Sequence, residues 1–187
     1  NFQSRHRLSV TGYVDLTTWK TMGYSEYDWY NLGTYRTPMK VTYTSNRQDR
    51  INAMIQTAID YKNAGTGYKV GCSGTPGSYV DCSGLIYQCL YAAGINPSSN
   101  IVDHALAIHE YTSVNLAADD RLGRSVDSNS LQRGDLVFYG KNGRNSVVHV
   151  AIYAGNGMIY DSWPGRGVTY RSVNIGGYHI VRARRVF

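Results

Sequence analysis

Cys82 stands in the stretch Tyr79-Val80-Asp81-Cys82-Ser83-Gly84-Leu85-Ile86. From Cys82 onward, apolar or small residues recur at Leu85, Ile86, Cys89, Leu90 and Ala93, which is helical spacing. Gly94 falls where a helix C-cap is expected. That places the thiol in the first turn of a helix. There, unpaired N–H groups and the positive end of the helix dipole favour thiolate, the nucleophilic form. Cys82 also lies on the apolar stripe, where a free cysteine reads equally well as a small core residue. The other groups in the chain decide between these readings.

A cysteine nucleophile needs a base within hydrogen-bond reach and a group that orients the base. Of the five histidines, His6 lies near the N-terminus, His104 and His109 fall on a predicted helix, and His179 is near the last strand. His149 interrupts Val147-Val148-His149-Val150-Ala151-Ile152-Tyr153, an otherwise apolar strand. It reads either as a core-edge histidine satisfied by a neighbour or as a base. After the Ala154-Gly155-Asn156-Gly157 turn, Met158-Ile159-Tyr160-Asp161-Ser162 returns as a second strand. If residues 154–156 form the loop, His149 and Asp161 stand directly opposite, about 5 Å apart at Cβ. A four-residue loop pairs His149 with Ser162 instead.

The elements that position these groups follow from periodicity. A helix is predicted over 48–64, with Ile51, Met54, Ile55, Ala58 and Ile59 on one face, Asn46 or Asp49 as cap, and Gly65 at its end. A glycine-rich loop over 65–78 leads to Cys82 and lacks the Gly-Lys-Ser/Thr ending of a phosphate loop. Ile101 to Tyr111 reads as a further helix, and Ser125 to Arg133 as a polar connection. Strands are predicted over 134–139, 147–153, 158–162, 167–171 and 178–186. Helices first and a meander of strands after them predict an α+β fold.

The chain has 187 residues, 42% hydrophobic and 17% charged, with 17 tyrosines and 20 glycines. Such a composition suits a folded domain with a small attachment. The formal charge of +6 suits nucleic acid, an anionic membrane or an anionic wall polymer. No Lys/Arg-rich run marks a nucleic-acid arm, and Arg182, Arg184 and Arg185 fall on both faces of one strand. No run approaches the ~20 apolar residues of a membrane span. Cys72, Cys82 and Cys89 leave one unpaired in any scheme. Cys82 and Cys89 lie about 10 Å apart along a helix, too far for a disulfide. No Cys-x-x-Cys occurs, so neither a metal nor another cofactor is expected. A monomer is expected.

Together, Asp81-Cys82-Ser83-Gly84-Leu85, Arg133-Gly134-Asp135-Leu136-Val137-Phe138 and His149 through Ile159 resemble the NlpC-type cell-wall cysteine peptidases, which are papain-like enzymes. The resemblance runs from about residue 48 to 187. It implies N-terminal helices packed on a mainly antiparallel sheet of five to six strands. It implies Cys82 as nucleophile, His149 as general base and then acid, and Asp161 as the third residue, where members usually carry His and sometimes Asn or Gln. The Cys82 backbone N–H becomes the expected oxyanion donor. Tyr68 matches a tyrosine facing the site, although the usual Tyr-x-Trp-Gly-Gly is here Tyr68-Lys69-Val70-Gly71-Cys72. Asp81 and Ser83 match positions that hold a stem-peptide amine in some members, and His104 lies near one that lines the groove. Asp81 reads equally as a helix cap.

Residues 1–23 resemble the second half of a peptidoglycan-binding repeat: Phe2-Gln3 ends a helix, Val10-Thr11-Gly12-Tyr13-Val14-Asp15 turns, and Leu16-Thr17-Thr18-Trp19 starts another helix. Residues 24–46 form a Tyr-rich linker and 47–187 the peptidase-like domain. The resemblance implies a secreted or wall-associated endopeptidase acting on peptidoglycan stem peptides at the bond between γ-D-Glu and the diamino acid. Anionic wall polymers are further candidate partners. An amidase or acyltransferase on the same fold, or a non-catalytic wall-binding module, are the competing readings.

Overall fold

The computed structural model describes residues 2–12, 14–26, 35–97 and 112–187. Helices α1 (Phe2–Arg5) and α2 (Leu16–Thr21) form a small N-terminal unit. Helices this short do not persist alone. Buried Gln3 stitches them together: its amide nitrogen donates to the Thr11 and Thr18 hydroxyls at 2.7 and 2.9 Å, and its oxygen accepts from the N–H groups of Thr11 and Gly12. Asp15 caps α2 as predicted, accepting from the Thr18 N–H at 2.7 Å. Past the N-terminal unit, residues 35–46 run along a later helix. Thr37 N–H donates to Gln88 at 2.7 Å and Lys40 N–H to the Ala92 carbonyl at 2.8 Å.

Helix α3 (Arg47–Asn63) begins at Asn46, whose side chain and that of Asp49 cap each other's backbone. Both cap candidates from the sequence are therefore used. Strands β1 (Gly67–Tyr68) and β2 (Tyr79–Val80) pair in parallel and flank the glycine-rich loop. Helix α4 (Cys82–Ala92) follows, buried along nearly its whole length. Helix α5 (Ser113–Ala118) was not foreseen in the sequence. The helix predicted over 101–111 lies outside the described residues.

The remaining strands build one antiparallel sheet: β3 (Arg124–Ser125), β4 (Leu136–Lys141), β5 (His149–Gly155), β6 (Met158–Trp163), β7 (Gly167–Ser172) and β8 (Tyr178–Arg185). Their order in space is β3-β8-β4-β5-β6-β7. The five predicted strands all form. The sixth, β3, lies at the edge of the predicted polar connection; two residues are too few for an alternating pattern to show.

Side-chain alternation divides the core. Leu136, Phe138, Val150 and Ile152 face α3 and α4, meeting Met54, Ile55, Ala58, Leu85, Ile86 and Leu90. Val137, Tyr139, Ala151 and Ile159 face the other way, under Ile175. The sheet thus has an apolar layer on each face. The arginines of β8 serve this architecture. Arg184 is buried and donates to the Ala117 carbonyl at 2.8 Å, the Gly123 carbonyl at 3.1 Å and Asp120 at 2.7 Å. Arg182 also donates to Ala117 at 2.6 Å, while Arg185 pairs with buried Asp135 at 2.8 and 2.9 Å. Among the described residues, no helix is long and apolar enough to cross a membrane.

Candidate active site

Cys82 is the first residue of α4, and Asp81 is its N-cap. One Asp81 carboxylate oxygen accepts from the Gly84 N–H at 2.7 Å and the Ser83 hydroxyl at 2.9 Å; the other accepts from the Gly71 N–H at 2.7 Å. The Asp81 N–H donates to the Cys72 carbonyl at 2.9 Å. The carboxylate therefore ties the glycine-rich loop to the helix that presents the thiol. Gln88, nearly two turns further on, holds Ser73 of that loop through its amide nitrogen at 2.8 Å. Ser162 on β6 donates to the Val80 carbonyl at 2.9 Å, so the strand that carries Asp161 is fastened to the segment just before the nucleophile.

The Val150 and Ser83 backbone N–H groups are hydrogen-bonded to the Cys82 sulfur. Val150 follows His149 directly, so β5 meets the thiol at the base candidate's own neighbour. Cys82 as a residue is half-buried, yet packing around its sulfur is dense. Burial pushes the thiol up to about 12; Asp81 and Asp161 add to the rise, and the two N–H groups oppose it. The helix N-terminus acts in the direction the sequence reading gave, through N–H groups that lower the thiol, but burial acts against it. Desolvation outweighs the N–H groups and the dipole.

His149 is 4% exposed and Asp161 fully buried. His149 Nε2 lies 2.8 Å from Asp161 Oδ2. This pairing was expected, but not by the route taken. Ile152 pairs with Tyr160 and Tyr153 with Ile159, so the same register places Asp161 opposite Ala151. Neither predicted loop forms. Asn156 and Gly157, both at positive φ (54° and 72°), make a two-residue turn closed by Gly155 and Met158, and a bulge follows at Ala154. His149 and Asp161 are diagonal neighbours on one face of the sheet, a spacing that long side chains bridge.

Asp161 has further partners that sequence reasoning missed. Thr169 donates its hydroxyl to Oδ1 at 2.6 Å. Arg171 donates through Nε to both oxygens at 3.2 and 3.1 Å, and through Nη2 to Oδ2. Burial alone would raise this carboxyl; hydrogen bonds from His149, Arg171 and Thr169 together hold it below the usual carboxylate range. The Arg171 guanidinium lies 4.2 Å over the Trp163 ring, and Trp163 meets His149 edge-on at 4.8 Å. Tyr139 closes the other side of the imidazole at 5.8 Å. Thr169 and Arg171 alternate on β7, and Asp161 pairs with Thr169 in register. A basic residue two positions along that face was the available signal.

Of the other predicted residues, Tyr68 joins the site. Burial raises its hydroxyl to about 12, and the nearby Cys82 and Asp81 add to the rise. Ser83 is buried against Asp81. His104 lies outside the described residues. Cys72 and Cys89 are buried free thiols. Among the described residues, no cluster of three or more His, Cys, Asp or Glu is arranged to hold a metal ion.

A helix N-terminal thiol laid against an antiparallel sheet that carries a His–carboxylate pair defines a papain-like arrangement. The chain matches the NlpC/P60 family over residues 65–185 and belongs to that family. It is 32% identical over 108 residues to a gamma-D-glutamyl-L-lysine dipeptidyl-peptidase of Bacillus cereus, covering 57% of this chain and 28% of that protein. The NlpC/p60 domain of the peptidoglycan hydrolase SagA superposes with a TM-score of 0.51 at 26% identity, covering 72% of this chain and 97% of that one. RipD of Mycobacterium tuberculosis, described as a non-catalytic NlpC/p60 domain protein, shares the fold at 22% identity with a TM-score of 0.51, covering 74% and 98%. The chain spans less than half the length of the curated relatives it matches.

Proposed function

We propose that this domain is a cysteine endopeptidase that cuts peptidoglycan stem peptides, with Cys82, His149 and Asp161 as its catalytic groups. One observation carries the reading. His149 binds buried Asp161 through Nε2, leaving Nδ1 as its free nitrogen, while the N–H of the next residue holds the Cys82 sulfur. A core histidine would also be satisfied by Asp161; what favours a base is that the neighbouring N–H on the same strand reaches the Cys82 sulfur at a helix N-terminus. RipD shows that the fold alone does not imply catalysis, so the reading rests on this arrangement.

His149 Nδ1 takes the Cys82 proton as sulfur attacks the scissile carbonyl. The tetrahedral oxyanion sits at the helix N-terminus, with the Cys82 backbone N–H as donor. His149 then gives its proton to the departing amine, leaving a thioester. Water attacks that thioester as His149 takes its proton, and the acid is released with Cys82 re-protonated. Burial raises the Cys82 thiol, which favours proton transfer to His149 during the attack over transfer before it.

The substrate class is supported by the named activity of the Bacillus cereus relative and by family membership. The bond proposed is that between γ-D-Glu and the diamino acid. Tyr68, Asp81 and Ser83 are proposed to line the substrate side of the cleft, with His104 as a further candidate. Both Asp81 oxygens are already engaged in capping, so any contact it makes with a substrate amine adds to that role. Residues 1–23 are proposed to be a partial peptidoglycan-binding repeat, with 24–46 as linker, and action at the wall outside the cell follows from the substrate.

The test is mass spectrometry of fragments released from defined muropeptides. Cys82→Ala is expected to lower release at least about a thousandfold with the fold intact by circular dichroism. Release that survives the substitution would remove Cys82 from the mechanism.

A further inference from the structure

We propose that Arg171 is a positioning residue that locks the Asp161 carboxylate against His149 and, by sharing its charge, sets the pH range in which His149 works as a base. The inference deepens the peptidase reading and rests on it for its catalytic meaning.

The geometry forms a closed circuit. Asp161 Oδ2 accepts from both His149 Nε2 and Arg171 Nη2, and Oδ1 accepts from Thr169 and from Arg171 Nε. Asp161 is fully buried, so these protein groups take the place of bulk solvent around its carboxylate. The guanidinium is itself placed, lying over Trp163, whose edge meets His149. Arg171 therefore fixes the carboxylate through hydrogen bonds and the imidazole through the indole. A planar fork does this; an ammonium would supply charge without the same geometry.

A buried carboxylate with imidazole as its only partner holds imidazolium strongly, and imidazolium cannot accept the Cys82 proton. Arg171 takes a share of that negative charge. The groups facing the pair come from five elements: Asp161 from β6, Arg171 from β7, Tyr139 from β4, Cys82 from α4, and His149 itself on β5. Tyr178 on β8 reaches it only through Trp163. Arg171 is the one permanent cation in this set.

The experiment titrates His149 by NMR in imidazole-labelled protein and, in parallel, follows kcat/KM for muropeptide cleavage against pH. Arg171→Gln is expected to raise the His149 midpoint and the acid limb of kcat/KM together, by about one pH unit. Arg171→Lys is expected to restore the midpoint to within about half a unit. A second cycle covers the case in which Arg171→Gln does not fold. Asp161→Asn lowers the His149 midpoint, and adding Arg171→Gln to Asp161→Asn raises it again. A midpoint unmoved by Arg171→Gln in either background would overturn the proposal, as would Lys behaving like Gln. If Cys82→Ala leaves cleavage unchanged, the reading of Cys82 as nucleophile fails alone, since the NMR titration still decides the role of Arg171.

Discussion

At Cys82, two forces meet that the sequence could name but not weigh. The helix N-terminus favours thiolate, while burial and two carboxylates favour thiol. Burial wins and pushes the thiol up to about 12. A thiol raised this far ionises at alkaline pH, and in the proposed mechanism His149 takes its proton as the sulfur attacks. This makes a direct prediction for alkylation by iodoacetamide. The rate at Cys82 should climb continuously from about pH 6 to about pH 10, because the thiolate fraction rises throughout that range. A preformed thiolate–imidazolium pair would instead give a plateau below about pH 8. Such a plateau would show that the base takes the proton before substrate arrives. His149→Ala should depress the rate at neutral pH, whereas Cys72 and Cys89, both buried, should contribute little.

At the scale of elements, the β5–β6 hairpin decides whether a base exists at all. The Asn156-Gly157 turn closes with Gly155 opposite Met158. Carried unbroken, that register would set Asp161 opposite Ile152, on the helix-facing side of the sheet and away from His149. The bulge at Ala154 shifts pairing by one residue and returns Asp161 to the His149 face. Strand β7 then supplies Thr169 and Arg171, and its position depends on Gly167. A Cβ at Gly167 would stand 2.2 Å from the Thr66 carbonyl oxygen, and its φ of 69° disfavours other residues. Gly167→Ala should cost about 2–4 kcal/mol in urea unfolding. A loss below about 0.5 kcal/mol would mean that β7 is free to move there.

For the whole molecule, the Asp161 cluster links the site to stability. The Asp161 carboxyl is held below its usual range in the folded protein. The unfolded chain therefore binds a proton at higher pH than the folded one, and stability rises with pH across that window. This contribution is complete above the unfolded value and is lost as pH falls through the folded one. The stability difference between the wild-type chain and Asp161→Asn should accordingly shrink as pH is lowered from about 5 to about 2 in denaturant titrations. A difference that stays constant over that range would mean that the cluster does not hold the carboxylate ionised. Asp161 also connects layers: Ser162 beside it ties β6 to Val80, and Asp81 ties that segment to α4. Local damage at the carboxylate is thus expected to spread to the thiol.

The sequence by itself determined the elements and the groups they bear. Periodicity marked α3, α4 and five strands, because an amphipathic pattern is written in residue order and needs no partner to be read. Asp15, Asn46 and Asp81 were legible as caps for the same reason: a cap bonds to a backbone two or three residues away. His149 stood out as a polar residue in an apolar strand, Cys82 by its place at a helix start, and Asp161 by its place on the returning strand. What the tertiary structure alone decided was everything set by parity, approach and dielectric. One bulged residue fixed the face on which Asp161 lies. The approach of β7 made Arg171 and Thr169 its partners, and dense packing raised the Cys82 thiol against the pull of the helix N-terminus. These depend on distances between residues far apart in the chain, and residue order does not encode them one by one.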